Sequence, residues 1–84
     1  KVKGESMIED GILEGDIILI KKQNTAQNGD KVVAVIDNEA TVKNFYQKGS
    51  RIELHPANSA MSPIIVDKGN FEIKGLLVGL IRHY

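Results

Sequence analysis

Ser6, Lys43, His55 and His83 are the side chains whose type and setting could do chemistry in this sequence. Neither histidine lies at metal-ligand spacing from the other or from a carboxylate pair on one helical face, so the sequence offers no metal centre. Chain order leaves a Ser-His-Asp triad open, because triads occur in several orders. Yet His83 stands at the extreme end of the sequence and His55 beside Pro56, positions that suit a surface. Aspartates and glutamates are scattered and mostly alternate with lysines, as on solvated faces, which gives paired-carboxylate catalysis little weight. Gly4-Glu5-Ser6 is followed by no second glycine and no Lys-Ser or Lys-Thr pair at phosphate-loop spacing. No nucleotide and no other cofactor is expected.

Ser6 falls where a strand runs out into a tight turn, a setting that can point a hydroxyl into a cleft. A quieter pattern fits the same residue: Ser6 and Glu9 have capping-box spacing, in which the serine only starts a helical turn, and this is the commoner use of such a pair. Gly4-Glu5-Ser6-Met7-Ile8 does not complete the nucleophile elbow of α/β hydrolases, which needs a glycine two residues after the serine. A serine nucleophile needs a base. With the histidines assigned to the surface, the alternative is a neutral lysine amine whose pKa burial has lowered. Alternation in Thr41-Val42-Lys43-Asn44-Phe45-Tyr46 puts Lys43 on one face with Thr41 and Phe45, and Val42, Asn44 and Tyr46 on the other. Lys21, Lys22, Lys31, Lys48 and Lys68 fall in pairs or near turns and suit exposed charge. A snorkelling Lys43 is the commoner arrangement for such a position, so the residues alone leave both roles open.

The elements that must position these residues are strands. Short Val- and Ile-rich runs separated by Gly, Asn and Asp predict an all-β fold, mainly antiparallel, with at most one short helical turn. The strands are expected at 16–21, 31–36, 41–46, 51–54, 64–67 and 71–82, the last with a possible break at Gly75. Gly15-Asp16 and Asn28-Gly29-Asp30 read as tight turns. Asp37-Asn38-Glu39-Ala40 reads as a hairpin connection and Gln47-Lys48-Gly49-Ser50 as the next, which makes a meander. Ser6 to Gly11 suits one helical turn ended by Gly11. Residues 55–63 read as a surface loop, because Pro56 and Pro63 cannot sit in central strands.

Length and composition bound the rest. Eighty-four residues suit one domain with a modest core, and 42% hydrophobic with 26% charged residues is an ordinary globular balance. Eleven basic against eleven acidic residues give no net charge, which argues against this segment gripping nucleic acid. The absence of cysteine excludes disulfides and thiolate chemistry and fits a reducing compartment, the cytoplasm by default. No apolar run approaches the roughly 20 residues of a bilayer span. The start at Lys1-Val2-Lys3-Gly4, without Met or a signal stretch, is expected to be the middle of a longer chain.

Five segments resemble a known family in order and spacing: Val2-Lys3-Gly4-Glu5-Ser6-Met7, Gly11-Ile12-Leu13-Glu14-Gly15-Asp16, Asn28-Gly29-Asp30-Lys31-Val32-Val33-Ala34, Ala40-Thr41-Val42-Lys43 and Leu54-His55-Pro56-Ala57-Asn58. The resemblance is to the C-terminal domains of LexA-type repressors and the related UmuD and phage repressors, which are serine-lysine peptidases with a mostly antiparallel β fold. It spans nearly the whole sequence. It implies Ser6 as nucleophile, Lys43 as general base, and an oxyanion hole from the backbone N–H groups of Ser6 and Glu5. The implied substrate is the protein's own hinge, cut at a small dipeptide, usually Ala-Gly, when a RecA filament on single-stranded DNA favours the cleavable conformation. No Ala-Gly occurs here, so hinge and operator-binding helix-turn-helix would lie upstream of Lys1. Dimerisation is implied too, with Leu76 to Tyr84 suited either to pairing across a two-fold axis or to the interior of one subunit.

The expectation is therefore a single peptidase and dimerisation domain over residues 1–84, incomplete at its N-terminus, from a repressor of the SOS DNA-damage response. Its partners are a second copy and the RecA filament, with DNA reached only through the absent N-terminal domain and no membrane. A non-catalytic dimerisation and peptide-binding module, or an UmuD-like polymerase accessory protein, are the alternatives. A membrane signal peptidase, which uses a related Ser-Lys pair, is disfavoured by the lack of an anchor.

Overall fold

The computed structural model describes the backbone of residues 1–84 and every side chain except that of Lys68. Six strands, β1 (Ile17–Lys22), β2 (Lys31–Ile36), β3 (Glu39–Lys48), β4 (Arg51–His55), β5 (Ile64–Val66) and β6 (Phe71–Ile81), form one antiparallel sheet in the order β1-β6-β2-β3-β4-β5. Single 3-10 turns at Ile8–Asp10 and Lys68–Asn70 are the only helical segments among the described residues, and the first lies where the sequence puts one. No helix among the described residues is long and apolar enough to cross a membrane.

Local chemistry explains the meander β2-β3-β4-β5. Asp37 and Asn38, the two residues between β2 and β3, have φ of 49° and 70°. Positive φ at both central positions is the type I′ turn, whose twist matches that of the strands it joins. Asp and Asn tolerate this region better than other side-chain-bearing residues. Ile36 therefore pairs directly with Glu39, and the ladder runs from there to Lys31–Asn44. The tight hairpins at both ends carry β3 two residues beyond its expected limits on each side.

Alternation then sends one side of β2, β3 and β4 inward. Val32, Ala34, Phe45, Ile52, Leu54 and Val66 make the core, with Ile36, Phe71, Ile73 and Leu76 packed on it. Phe71 meets Phe45 edge-on with ring centroids 6.3 Å apart. Each large side chain fully buried here contributes about 1.5–3 kcal/mol. Lys43 is two residues from Phe45 on the same strand and is itself only 5% exposed.

β6 crosses from one partner to the other. Residues from Phe71 to Leu76 pair with β2, and residues from Gly75 to Ile81 pair with β1, with a register shift in each ladder. Gly75 is thus no break: the strand runs through it. A Cβ at Gly75 would lie 2.7 Å from the backbone oxygen of Lys21, so only glycine permits the crossing, whereas at Gly79 the nearest atom would be a Leu19 methyl at 3.6 Å. On the β1 side the interior-strand reading of Leu76 to Tyr84 holds as far as Ile81, where the strand ends. From Leu77 onward the β2 side of β6 carries no ladder partner among the described residues.

The end of β6 is tied to the loop after the first turn by an ion pair whose carboxylate is buried. Arg82 donates from Nε and Nη2 to the two carboxylate oxygens of Asp16 at 2.8 and 2.7 Å, and from Nη2 to the Gly11 carbonyl at 2.8 Å. Asp16, 2% exposed, also accepts the Leu13 N–H at 2.8 Å. The Arg82 hydrogen bonds first, and then the Leu13 N–H, hold the Asp16 carboxyl down at about 2, from an ordinary value of 3.8.

Two outcomes follow from these contacts. Gly75→Ala is expected to lower stability by about 1–3 kcal/mol through overpacking, while Gly79→Ala is tolerated; equal urea midpoints for the two variants would contradict the crossing geometry. The Asp16 contribution is present above the ordinary carboxylate pKa and is lost as pH falls through about 2. Melting temperature against pH should therefore drop along an acid limb that Asp16→Asn flattens, and parallel curves for the two proteins would refute the assignment.

Candidate active site

Ser6 precedes the 3-10 turn Ile8–Asp10, and its hydroxyl does not cap that turn. The N-cap position is Met7, with no side-chain cap hydrogen bond. Glu9, the other half of the expected capping box, instead accepts the backbone N–H and the hydroxyl of Ser59, both at 2.8 Å. Gly11 ends the turn in the left-handed region at φ 77°, its N–H donating to the Ile8 carbonyl. Met7 and Ile12, each 2% exposed, anchor the segment.

The Ser6 hydroxyl meets Lys43 instead. Lys43 Nζ lies 3.0 Å from Ser6 Oγ, 2.5 Å from Thr41 Oγ1 and 3.2 Å from the Val42 carbonyl. Thr41 and Lys43 share a face of β3, as alternation requires, and a snorkelling lysine is replaced by a buried one. Three neighbours also suit a neutral amine, which has two N–H donors and one lone pair. The Val42 carbonyl can only accept and the Thr41 hydroxyl can accept, so the lone pair is left for the Ser6 O–H. Burial pushes the Lys43 pKa below its ordinary 10.5.

Beside this pair opens a cleft of about 530 Å³ whose walls include Val2, Ser6, Met7, Ile18, Thr41 and Val42. Among the described residues the backbone N–H groups of Glu5 and Ser6 have no hydrogen-bond acceptor. The histidines stand apart from the pair. His55 Nε2 lies 2.9 Å from Glu53 Oε1 and its ring packs edge-on against Tyr46, while His83 is exposed.

The sequence profile of a family described as Peptidase S24-like matches residues 1–78. The chain belongs to the Peptidase S24-like family. Relatives of this S24-like chain include LexA repressors of Syntrophotalea carbinolica, 56% identical over 85 residues, and of Finegoldia magna, 61% identical over 82 residues. A third, from Clostridium botulinum, is 55% identical over 84 residues. They cover 100%, 98% and 100% of this chain. The chain in turn spans 42%, 38% and 41% of their lengths, about two-fifths.

Some contacts around Ser6 and Lys43 escape a reading of residue types. Thr41 was visible as a face-mate of Lys43 but not as its hydrogen-bond partner. Glu9 and Ser59 are 50 residues apart, and no local pattern signals their contact. Asn58 closes the fifth of the segments that carry the family resemblance, and its side chain reaches the Glu5 carbonyl at 2.9 Å.

The Lys43 environment has a direct test. Titration of its side chain by NMR is expected to give a pKa below 10.5, because transfer of the charged form out of water is what the fold opposes. An ordinary lysine value would remove the basis for a neutral amine at this position.

Proposed function

We propose that this chain is the self-cleaving serine-lysine peptidase domain of a transcriptional repressor of the SOS DNA-damage response, acting on a hinge upstream of Lys1. The observation that carries the reading is the 3.0 Å approach of a buried lysine amine to Ser6 Oγ beside an open cleft, in a chain of the Peptidase S24-like family. The repressor assignment rests on the LexA repressors that the chain matches along nearly all of its length.

In this mechanism neutral Lys43 takes the Ser6 proton as Oγ attacks the carbonyl carbon of the hinge peptide. The oxygen of that carbonyl becomes an oxyanion and is met by the N–H groups of Ser6 and Glu5. Collapse breaks the C–N bond, and the Lys43 ammonium returns its proton to the leaving amine. Water, deprotonated by the amine, then releases the acyl group from Ser6. A RecA filament acts as the trigger by favouring the conformation in which the hinge enters the cleft. Operator DNA is bound by a separate N-terminal domain, and the protein works in the cytoplasm.

Dimerisation belongs to the same reading, through the end of β6. Support comes from the β2-side edge that β6 leaves without a ladder partner beyond Leu76, and from Val78 and Ile81, 65% and 53% exposed. Backbone groups and apolar side chains there suit a second copy.

The full-length protein incubated at alkaline pH tests the proposal. Self-cleavage should rise with pH and level off once Lys43 has lost its proton, at a midpoint below 10.5. Ser6→Ala and Lys43→Ala should each slow it by about 10⁴-fold or more. Normal cutting by either variant would overturn the assignment.

A further inference from the structure

An oxyanion hole made from a backbone N–H is only as good as the orientation of its peptide plane. The Glu5 carbonyl and the Ser6 N–H belong to one planar unit and point in opposite directions. Whatever fixes the carbonyl therefore aims the N–H. In this chain the Glu5 carbonyl accepts Asn58 Nδ2–H at 2.9 Å, together with a longer bond of 3.4 Å from the Ile8 N–H.

The Asn58 amide is itself held in one orientation. Its Oδ1 accepts the Ala60 N–H at 2.9 Å, and its backbone carbonyl accepts the Met61 N–H at 3.0 Å. A flipped amide would set oxygen against the Glu5 oxygen and NH₂ against the Ala60 N–H, losing both bonds. The surrounding loop is clamped to the same turn, because the Glu9 N–H donates to the Ala57 carbonyl at 2.7 Å and Ser59 donates twice to the Glu9 carboxylate. On the other side, the Gly4 N–H donates to Glu14 Oε1 at 3.0 Å. The peptide between Glu5 and Ser6 is thus gripped from outside the turn, while its own N–H is left without an acceptor among the described residues.

We infer that Asn58 is a positioning residue for the peptidase reaction: by anchoring the Glu5 carbonyl it aims the Ser6 N–H at the carbonyl oxygen of the scissile bond. The inference rests on the peptidase reading proposed above. Asn58 touches neither Ser6 Oγ nor Lys43, so its effect belongs to stabilisation of the oxyanion and not to activation of the nucleophile. A donor that must reorient during reaction loses much of its value, because electrostatic stabilisation works through dipoles already in place.

The test compares pH profiles of self-cleavage in the full-length protein and its variants, each corrected for folded fraction at the assay temperature. Asn58→Ala should lower the alkaline plateau roughly 10- to 100-fold, below the loss for deleting an oxyanion donor outright, with the midpoint unchanged. Asn58→Asp keeps the Oδ1 bond to the Ala60 N–H but turns an acceptor towards Glu5, and should fall at least as far. Ser59→Ala, which removes one bond of the loop clamp and leaves the Asn58 contact, should lower the plateau less than either Asn58 variant. A plateau unaltered in both Asn58 variants overturns the inference, as does an equal fall in Ser59→Ala or a shifted midpoint, which would place the effect on Lys43. Ser6→Ala, run alongside, separates the two levels: if it is inactive while Asn58→Ala is fully active, only the role of Asn58 fails. If Ser6→Ala cuts normally, the peptidase reading fails and takes this inference with it.

Discussion

An amine withdrawn from water at the edge of an apolar core sets the terms for the rest of the molecule. Lys43 follows the period-two face that carries Phe45 into the core, so register and not a special pocket puts it there. Once it is inside, the charged form is penalised and the amine needs polar neighbours. Thr41, Val42 and Ser6 meet that need. Under the proposed peptidase reading the same burial would suit the amine to act as a base. The other described lysines reach water and gain nothing from such an arrangement.

Ser6 has no comparable rigidity of its own. It sits before a three-residue 3-10 turn, which has too few internal hydrogen bonds to hold a hydroxyl in place. Rigidity is imported from distant parts of the sequence. Met7 and Ile12 bury their side chains, Asp16 and Arg82 tie the following loop to the end of β6, and the loop at 57–59 grips both Glu5 and Glu9. These contacts join residues 50 or more positions apart, so the orientation of the Ser6 hydroxyl is formed only when the whole sheet is complete. A polar group on a loose turn would have to be ordered each time it was used; here that cost is met during folding.

Most of the strand plan could be read directly. Val- and Ile-rich alternation and the turn residues Asp37-Asn38 and Asn28-Gly29 mark signals that act over a few residues, and the observed strands match them closely. Gly75 shows where local reading runs out. As a residue type it suggests a break, and its actual role is to let β6 pass close to the Lys21 backbone, a neighbour far away in sequence. Placement of β6 between β1 and β2 is equally non-local. The capping box failed for a related reason: Ser6 and Glu9 have the right spacing, but tertiary partners, Lys43 for one and Ser59 for the other, offer better contacts than the turn does.

By itself the sequence determined the all-β class, the positions of the strands, the face on which Lys43 lies and, through five ordered segments, the family to be expected. Those properties depend on periodicity and on residues near one another in the chain. Whether Ser6 caps or meets an amine, whether Lys43 reaches solvent or is buried, and that Asn58 holds the Glu5 carbonyl were decided only by tertiary structure. Each is a competition between a local partner and a distant one, and a distant partner has a definite position only after the sheet that carries it has formed.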